Sequence, residues 1–332
     1  MEIKKIGVVH DKNLDKNKSL MVDSVFNAIN KKYEVVKIPF DENFFENIKK
    51  VDFVFNLSTS GGKEGRQIHI PAILDLLNIP YTGSSAFTHT ICLDKFITKL
   101  ILTFYNIPTS RFTHIKENEY IENDLNLNYP LIVKPVREGS ALGLTKDSVV
   151  WDLESLKREV EKIHKDFKEP ALIEEYIDGI ELSCGVIGND EELTILPLLE
   201  IDFSSLPEGV ERFYSYRVKN EIGENKIKYY CPARINKEVE EKIKRGAKAS
   251  CKALGLRDYA RIDLRVKNDE FYVLEVNSLP LLVPGYSNIL KMGEKIGLNY
   301  DDFILNLLEV AIKRYFWYSL QKQTAYFCKQ NK

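Results

Sequence analysis

The sequence predicts an α/β unit at its start followed by a larger α+β body, on three observations. Strand-like and helix-like patterns alternate through the first part of the chain; from about Tyr105 strands come at longer spacings with hairpin signals; and 332 residues at 44% hydrophobic content suffice for two or three domains, each with its own core. In chain order, KKIGVVH reads as a strand, Ser19 to Lys32 as an amphipathic helix, YEVVKIPF and DFVFNLS as strands, and Gln67 to Leu77 as a helix. That is the rhythm of an open parallel sheet covered by helices. Ligands of such sheets sit beyond the carboxyl ends of the strands, so the Gly-bearing stretch NLSTSGGKEGR is expected to face a site. A domain boundary is placed near 92–105. Beyond it LIVKP, ALIEEYI, IELSCGVIG, ARIDLRV and FYVLEVN read as strands, mixed with helices at 151–168 and 236–255. From Asp301, Ile304, Leu307, Leu308, Val310, Ala311 and Ile312 recur at helical spacings and predict one helix running into RYFWYSL. Those aromatics read as helix packing or a subunit contact rather than a cofactor box.

Charge is balanced, with 47 Lys and Arg against 49 Asp and Glu, so no overall excess recommends nucleic acid or an anionic membrane as partner. Any basic site must be local. The start MEIKKIGVVH lacks the long apolar stretch of a leader, and no run is long enough to span a bilayer. Cys92, Cys184, Cys231, Cys251 and Cys328 are scattered and free of CxxC spacing, which predicts reduced thiols in a cytoplasmic protein. His10, His69, His89, His114 and His164 share no spacing and are read as structural or exposed.

Three segments carry candidate chemistry. Alternate side chains of a strand share a face, so Arg261 projects with Asp263, and Glu275 with Asn277, while Ile262, Leu264, Leu274 and Val276 point into a core. If the two strands form a hairpin through KNDE, all four polar groups share one face only when the loop holds an odd number of residues, such as Asn268 to Glu270. Asp263 then lies opposite Glu275, and Arg261 opposite Asn277. Two carboxylates and an amide suit magnesium; the alternative is an exposed face with a salt-bridge ladder. In LIVKPVREGSALGLTK a strand ends at Lys134 before a loop with Gly139, Ser140 and Gly143, which fits either a phosphate cradle or an ordinary hairpin loop. In LIEEYIDGIEL, Glu174 ends an apolar run and Glu181 follows; they are candidates for an exocyclic amine and sugar hydroxyls, or two surface glutamates.

In this order and spacing these segments resemble the ATP-grasp superfamily, in its D-alanine–D-alanine ligase-like branch. The resemblance runs from IPYTGSSAFTHTICLDKFITK through KPVREGSALG, LIEEYIDGIE, KYYCPARI and DYARIDLRV to LEVNSLP. It implies a Rossmann-like N-terminal domain (1–92), a central ATP-grasp subdomain (93–180), a C-terminal ATP-grasp domain with a metal site (181–315) and a helical, polar tail (316–332). It also implies that Lys95 and Lys134 bind nucleotide phosphates, Glu174 adenine with Tyr176 and Ile177 beside it, and Glu181 ribose. Lys219 would lie on a mobile loop over the phosphates. Asp263, Glu275 and Asn277 would hold magnesium, or manganese in its place, and Arg261 would steady a tetrahedral intermediate together with backbone N–H groups near Pro280 and Leu281. The implied reaction is phosphoryl transfer from ATP to a carboxylate, then attack by an amine, with amino acids as substrates; the alternatives are an ATP-grasp ligase for a different acid or amine in a specialised biosynthetic pathway, and a non-catalytic ATP-binding relative. Closure of the Ser140 loop and of 205–228 would exclude water. A cytoplasmic role in peptidoglycan biosynthesis, and a homodimer, follow from the same resemblance.

Departures gather at the amino-acid site. The usual Gly-Gly-x-Ser-x-Glu stretch reads HDKNLDKNKSL, where Asp15 is the substitute for the ammonium-holding glutamate. The usual Lys-Tyr reads Lys219-Asn220, removing the tyrosine that links the lid to Ser140. The usual Asn-x-x-Pro-Gly ends in Leu281, and the serine that contacts the second substrate is matched, one position out, by Ser287.

Overall fold

The structure, a computed structural model, describes residues 3–59, 66–121, 125–218, 222 and 226–330, with 317–330 as backbone alone. The first layer contains β1 (Lys5–Asp11), α1 (Lys16–Ile29), β2 (Glu34–Phe40), the short α2 (Phe44–Asn47), β3 (Phe53–Asn56) and α3 (His69–Leu77). Its strands run parallel in the order β2-β1-β3, as the alternation of patterns predicts. Gly7 allows the close packing of β1, since a Cβ there would sit 2.7 Å from Ile38 Cδ1. Next, α4 (Ala86–Leu93) and α5 (Lys95–Phe104) lead into a four-stranded antiparallel sheet. It is built from β4 (Phe112–Ile115), β5 (Leu131–Pro135), β6 (Val149–Val150) and β7 (Ala171–Glu175) in the order β4-β7-β5-β6, and α6 (Leu153–Phe167) covers it.

The largest sheet holds β8 (Ile180–Ile187), β9 (Thr194–Ile195), β10 (Leu199–Asp202), β11 (Lys228–Tyr230), β12 (Tyr259–Lys267) and β13 (Glu270–Asn277), with α7 (Lys237–Leu254) packed on it. Its path is β11-β10-β8-β12-β13, with β9 paired to β8. The chain ends in α8 (Asn288–Glu294) and one helix, α9 (Tyr300–Gln330), that joins the predicted Asp301 start to the RYFWYSL stretch.

Two cores cross the sequence boundaries read above. Leu102 and Ile107 pack with the large sheet and α7 rather than with the four-stranded sheet. Leu282, Ile289, Phe303, Ile304 and Leu307 share a core with β1, β3 and α1. The first and last parts of the chain are therefore clamped together, and the two antiparallel sheets face one another across a cleft of about 630 Å³. That volume is in the range of small-molecule sites. Among the described residues no helix is long and apolar enough to cross a membrane. Cys92, Cys184, Cys231 and Cys251 are free thiols.

Candidate active site

β8, β12 and β13 form the floor of the cleft. Asp263 pairs with Glu275 and with Ser183, and Arg261 with Asn277, as alternation requires. The expected reason was an odd loop, and the structure supplies parity differently. The turn is two residues, Asn268 and Asp269, both left-handed with φ 53° and 60°, as a tight hairpin demands. The odd residue is Leu274, a β-bulge between the Leu264–Val273 and Asp263–Glu275 pairs. The bulge also corrects a second expectation: Leu274 lines the cleft, and Val273 takes its place in the core.

Arg261 lies against Asp263 with Nε at 2.8 and 3.1 Å and an Nη2 contact of 2.7 Å. Burial disfavours the Arg261 charge, but Asp263 more than offsets this and holds its pKa above the ordinary value. Ser183 Oγ donates to Asp263 at 2.7 Å, and Asn277 Nδ2 at 2.9 Å. Two carboxylates and an amide on one face form an oxygen-donor set that fits a hard divalent cation, because a half-turn of the Asn277 amide presents its oxygen without moving the strand.

At the other end of the cleft Glu174 is 1% exposed and held at both oxygens. Lys134 Nζ lies 2.8 Å from Oε1; Ser110 Oγ donates to Oε2 at 2.9 Å, and Lys99 Nζ is 3.3 Å away. Burial alone would raise this carboxyl, yet Lys134 and Lys99 reverse that and bring it below the usual carboxylate range. Lys95 starts α5 and donates to the Glu138 carbonyl; burial lowers its pKa, with Glu275 opposing. Glu181 accepts from Arg265 Nε and Nη2 at 3.1 and 2.8 Å, and burial raises its carboxyl against that pairing. Tyr176 and Ile177 line the same end, where Arg265 also binds the Ile177 carbonyl at 2.7 Å and lies 5.1 Å from the Tyr176 ring. Arg265 and Lys99 were not singled out from the sequence. Arg265 could have been found, since it continues the alternation of Arg261 and Asp263.

Ser140 lines the cleft on a loop where Ser140 and Ala141 both take left-handed φ of 55° and 63°, a conformation that tends to occur at ligand clamps. The two loops expected to close over the site meet through the backbone: Tyr216 N donates to Leu144 O at 2.9 Å. Lys219 and Asn220 lie outside the described residues. Leu281 and Ser287 line the cleft, and Ser287 Oγ accepts from Val283 N at 2.9 Å.

Asp15 does not take the expected place. It is an exposed N-cap of α1, accepting from Lys18 N at 2.8 Å, because a carboxylate just before a helix satisfies otherwise unpaired N–H groups. Lys18, one turn on, reaches the cleft instead. Its Nζ donates to Asp11 at 3.0 Å and Thr59 Oγ1 at 2.8 Å, while buried Asp11 also accepts from Ser58 Oγ and Thr59 N.

Two sheets gripping a cleft, with lysines and a buried glutamate at one end and two carboxylates, an amide and an arginine at the other, make an ATP-grasp ligase. The family model "D-ala D-ala ligase C-terminus" matches residues 101–309. The chain belongs to the D-alanine–D-alanine ligase family, and is thus an ATP-dependent ligase that forms an amide bond and releases ADP. It is 33% identical over 301 residues to the D-alanine–D-alanine ligase of Carboxydothermus hydrogenoformans, covering 88% of this chain and 92% of that one. The D-alanine–D-alanine ligase of Bacillus anthracis complexed with ATP superposes with a TM-score of 0.76 at 25% identity, covering 93% of this chain and 98% of that one. The VanG D-Ala:D-Ser ligase of Enterococcus faecalis gives 0.74 at 26%, covering 93% and 100%.

Proposed function

We propose that the protein joins two small amino acids through an acyl phosphate, with two D-alanines the leading pair and magnesium as the metal. The observation that carries this reading is the shared face of Arg261, Asp263, Glu275 and Asn277, opening toward Lys95 and Lys134 across one cleft. In this reading Glu174, with Tyr176 and Ile177, receives the adenine and Glu181 the ribose. Lys95, Lys134 and Lys219 hold the phosphates in line with the acid, so most of the rate comes from positioning and charge stabilisation. Asp263, Glu275 and Asn277 hold magnesium, which when bound neutralises charge on the migrating phosphoryl group. The carboxylate oxygen takes the γ-phosphoryl and ADP leaves. The amine then attacks the carbonyl carbon, and Arg261 with the Leu281 N–H stabilises the oxyanion until phosphate departs. Ser140, Asn220 and Ser287 fall to the amino acids. The domain limits 1–92, 93–180, 181–315 and 316–332, a cytoplasmic place, a homodimer and a role in peptidoglycan biosynthesis belong to the same proposal.

The experiment is ADP release with magnesium across a panel of D- and L-amino-acid pairs, with the product identified by mass. Release that no amino acid stimulates would sink the reading. A second reading, a different acid in the first position, is favoured by one observation: the amino-terminal wall of the cleft presents the Lys18 ammonium, paired with buried Asp11, beside Thr59, whose hydroxyl donates to Asp11, while Asp15 is committed to its helix cap. A 2-hydroxy acid or dicarboxylic acid belongs in the panel for that reason.

A further inference from the structure

Lys99 has no role in the assignments above, yet its side chain is 1% exposed behind the base end of the cleft. A buried ammonium is tolerated only when paired and hydrogen-bonded. Its Nζ meets Thr109 Oγ1 at 2.6 Å, Ser110 Oγ at 3.1 Å, the Val273 carbonyl at 3.3 Å and Glu174 Oε2 at 3.3 Å. These acceptors lead in two directions. Ser110 Oγ donates onward to Glu174 Oε2, and Thr109 Oγ1 onward to Val273 O at 2.7 Å. Val273 N in turn donates to Pro108 O at 2.8 Å, so both backbone groups of Val273 are held from outside the β12–β13 ladder. The next residue is the bulge Leu274, and the one after it is Glu275. A bulge leaves one residue without a ladder partner, so the anchor at Val273 helps fix the angle at which Glu275 enters the cleft.

We infer that Lys99 is a positioning residue that couples the carboxylate at the base end, Glu174, to the bulge that aims Glu275. This rests on the proposed function, in which Glu174 faces the base and Glu275 a divalent cation. Displacing either end shifts the shared ammonium and so loosens the other. Coupling through one packed, hydrogen-bonded group of this kind is reciprocal.

Two mild variants separate the ends. Thr109→Val removes a hydroxyl that meets Lys99 and Val273; Ser110→Ala removes one that meets Lys99 and Glu174. ATP binding without metal is measured by calorimetry, and the magnesium concentration for half-maximal, amino-acid-dependent ADP release is measured at saturating ATP. Thr109→Val is expected to weaken metal-free ATP binding, and Ser110→Ala to raise the magnesium requirement, each by about threefold to thirtyfold. Thr109→Ser, which keeps the hydroxyl, should restore ATP binding. Lys99→Met should shift both quantities, with its thermal melt reporting how much protein is folded. If each hydroxyl variant moves only the quantity of its own end, or neither, the coupling is overturned. Wild-type protein that releases no ADP with any amino acid would overturn the proposed function instead, and metal-free ATP binding to Thr109→Val would still decide the role of Lys99.

Discussion

Lys18 and Asp15 sit one turn apart on α1 with opposite charges, and only Lys18 lines the cleft. Lys18→Met should therefore raise the KM of the first substrate about tenfold or more while leaving the ATP parameters near wild type, and Asp15→Ala should change stability by about 1 kcal/mol and kinetics little. Kinetics with each substrate varied in turn check this; a shift confined to ATP would remove Lys18 from the substrate end. His89 makes a different prediction. It is wholly buried, its Nδ1 is 2.7 Å from Ser278 Oγ, and burial pushes its pKa down to about 4. The unfolded chain, with an ordinary His pKa near 6.5, binds the proton more readily, so the stability contributed by neutral His89 is full above about pH 6.5. It is lost as pH falls toward 4, by about 3 kcal/mol in all. Denaturant unfolding of wild type and His89→Asn at pH 7, 6 and 5 should show a steeper decline for wild type. At this scale the cleft was legible where residue type and strand position coincide, as at Lys134, Glu174 and Asp263. Lys99 was not legible because nothing in LDKFITK says that a helical lysine turns inward toward a carboxylate on another element.

The β12–β13 hairpin shows why alternation alone gave the right face for the wrong reason. Parity needed one extra residue, and a sequence pattern fixes the need without fixing whether turn or bulge supplies it; Asn268-Asp269 suits the two-residue turn, and the bulge at Leu274 then follows. The neighbouring strand depends on a close approach as well. A Cβ at Gly179 would stand 2.2 Å from the Val266 carbonyl oxygen, and this obstacle is backbone, which cannot rotate away. Gly179→Ala should cost about 1–3 kcal/mol by overpacking and displace the start of β8, on which Glu181 meets Arg265. A lowered melting temperature together with weakened ATP binding is expected. A lowered melting temperature alone would detach Glu181 from nucleotide binding. Between β12 and β13, Asp263→Asn and Glu275→Gln should each reduce turnover by more than about 100-fold while the fold persists, since even outer partners of metal ligands contribute tenfold to 100-fold. Circular dichroism and steady-state rates at several magnesium concentrations test both, and near-normal rates in either would end the metal assignment.

A buried ion pair between Asp258 and Arg314 adds to the shared core of β1, β3, α1, α8 and α9 in holding the first sheet over the cleft. Asp258 is fully buried and accepts from Arg314 Nε and Nη2, both at 2.8 Å, from Gly83 N at 2.7 Å and from Asn189 Nδ2 at 3.0 Å; Arg314 Nη2 also binds the Tyr81 carbonyl at 3.0 Å. The group thus joins the segment after the parallel sheet, the large sheet and α9. None of this could be read from the sequence, because Gly83, Asn189, Asp258 and Arg314 come from four separate segments. Removing one partner of a buried, hydrogen-bonded pair leaves the other charge without compensation, which costs about 3–5 kcal/mol. Arg314→Met is expected to lower stability by that amount, whereas Arg314→Met combined with Asp258→Asn should recover part of it, because the stranded charge is gone. The kinetic consequence separates a local from a global role. The described residues assigned to ATP lie on α5, on the two antiparallel sheets and in the segment between those sheets, whereas Lys18 and Thr59 come from the first layer. Loosening the first layer should therefore raise the KM of the first substrate severalfold while changing the KM for ATP less than twofold, measured well below the melting temperature. Equal shifts in both parameters would mean that the pair steadies the whole molecule and does not place the amino-terminal wall against the cleft.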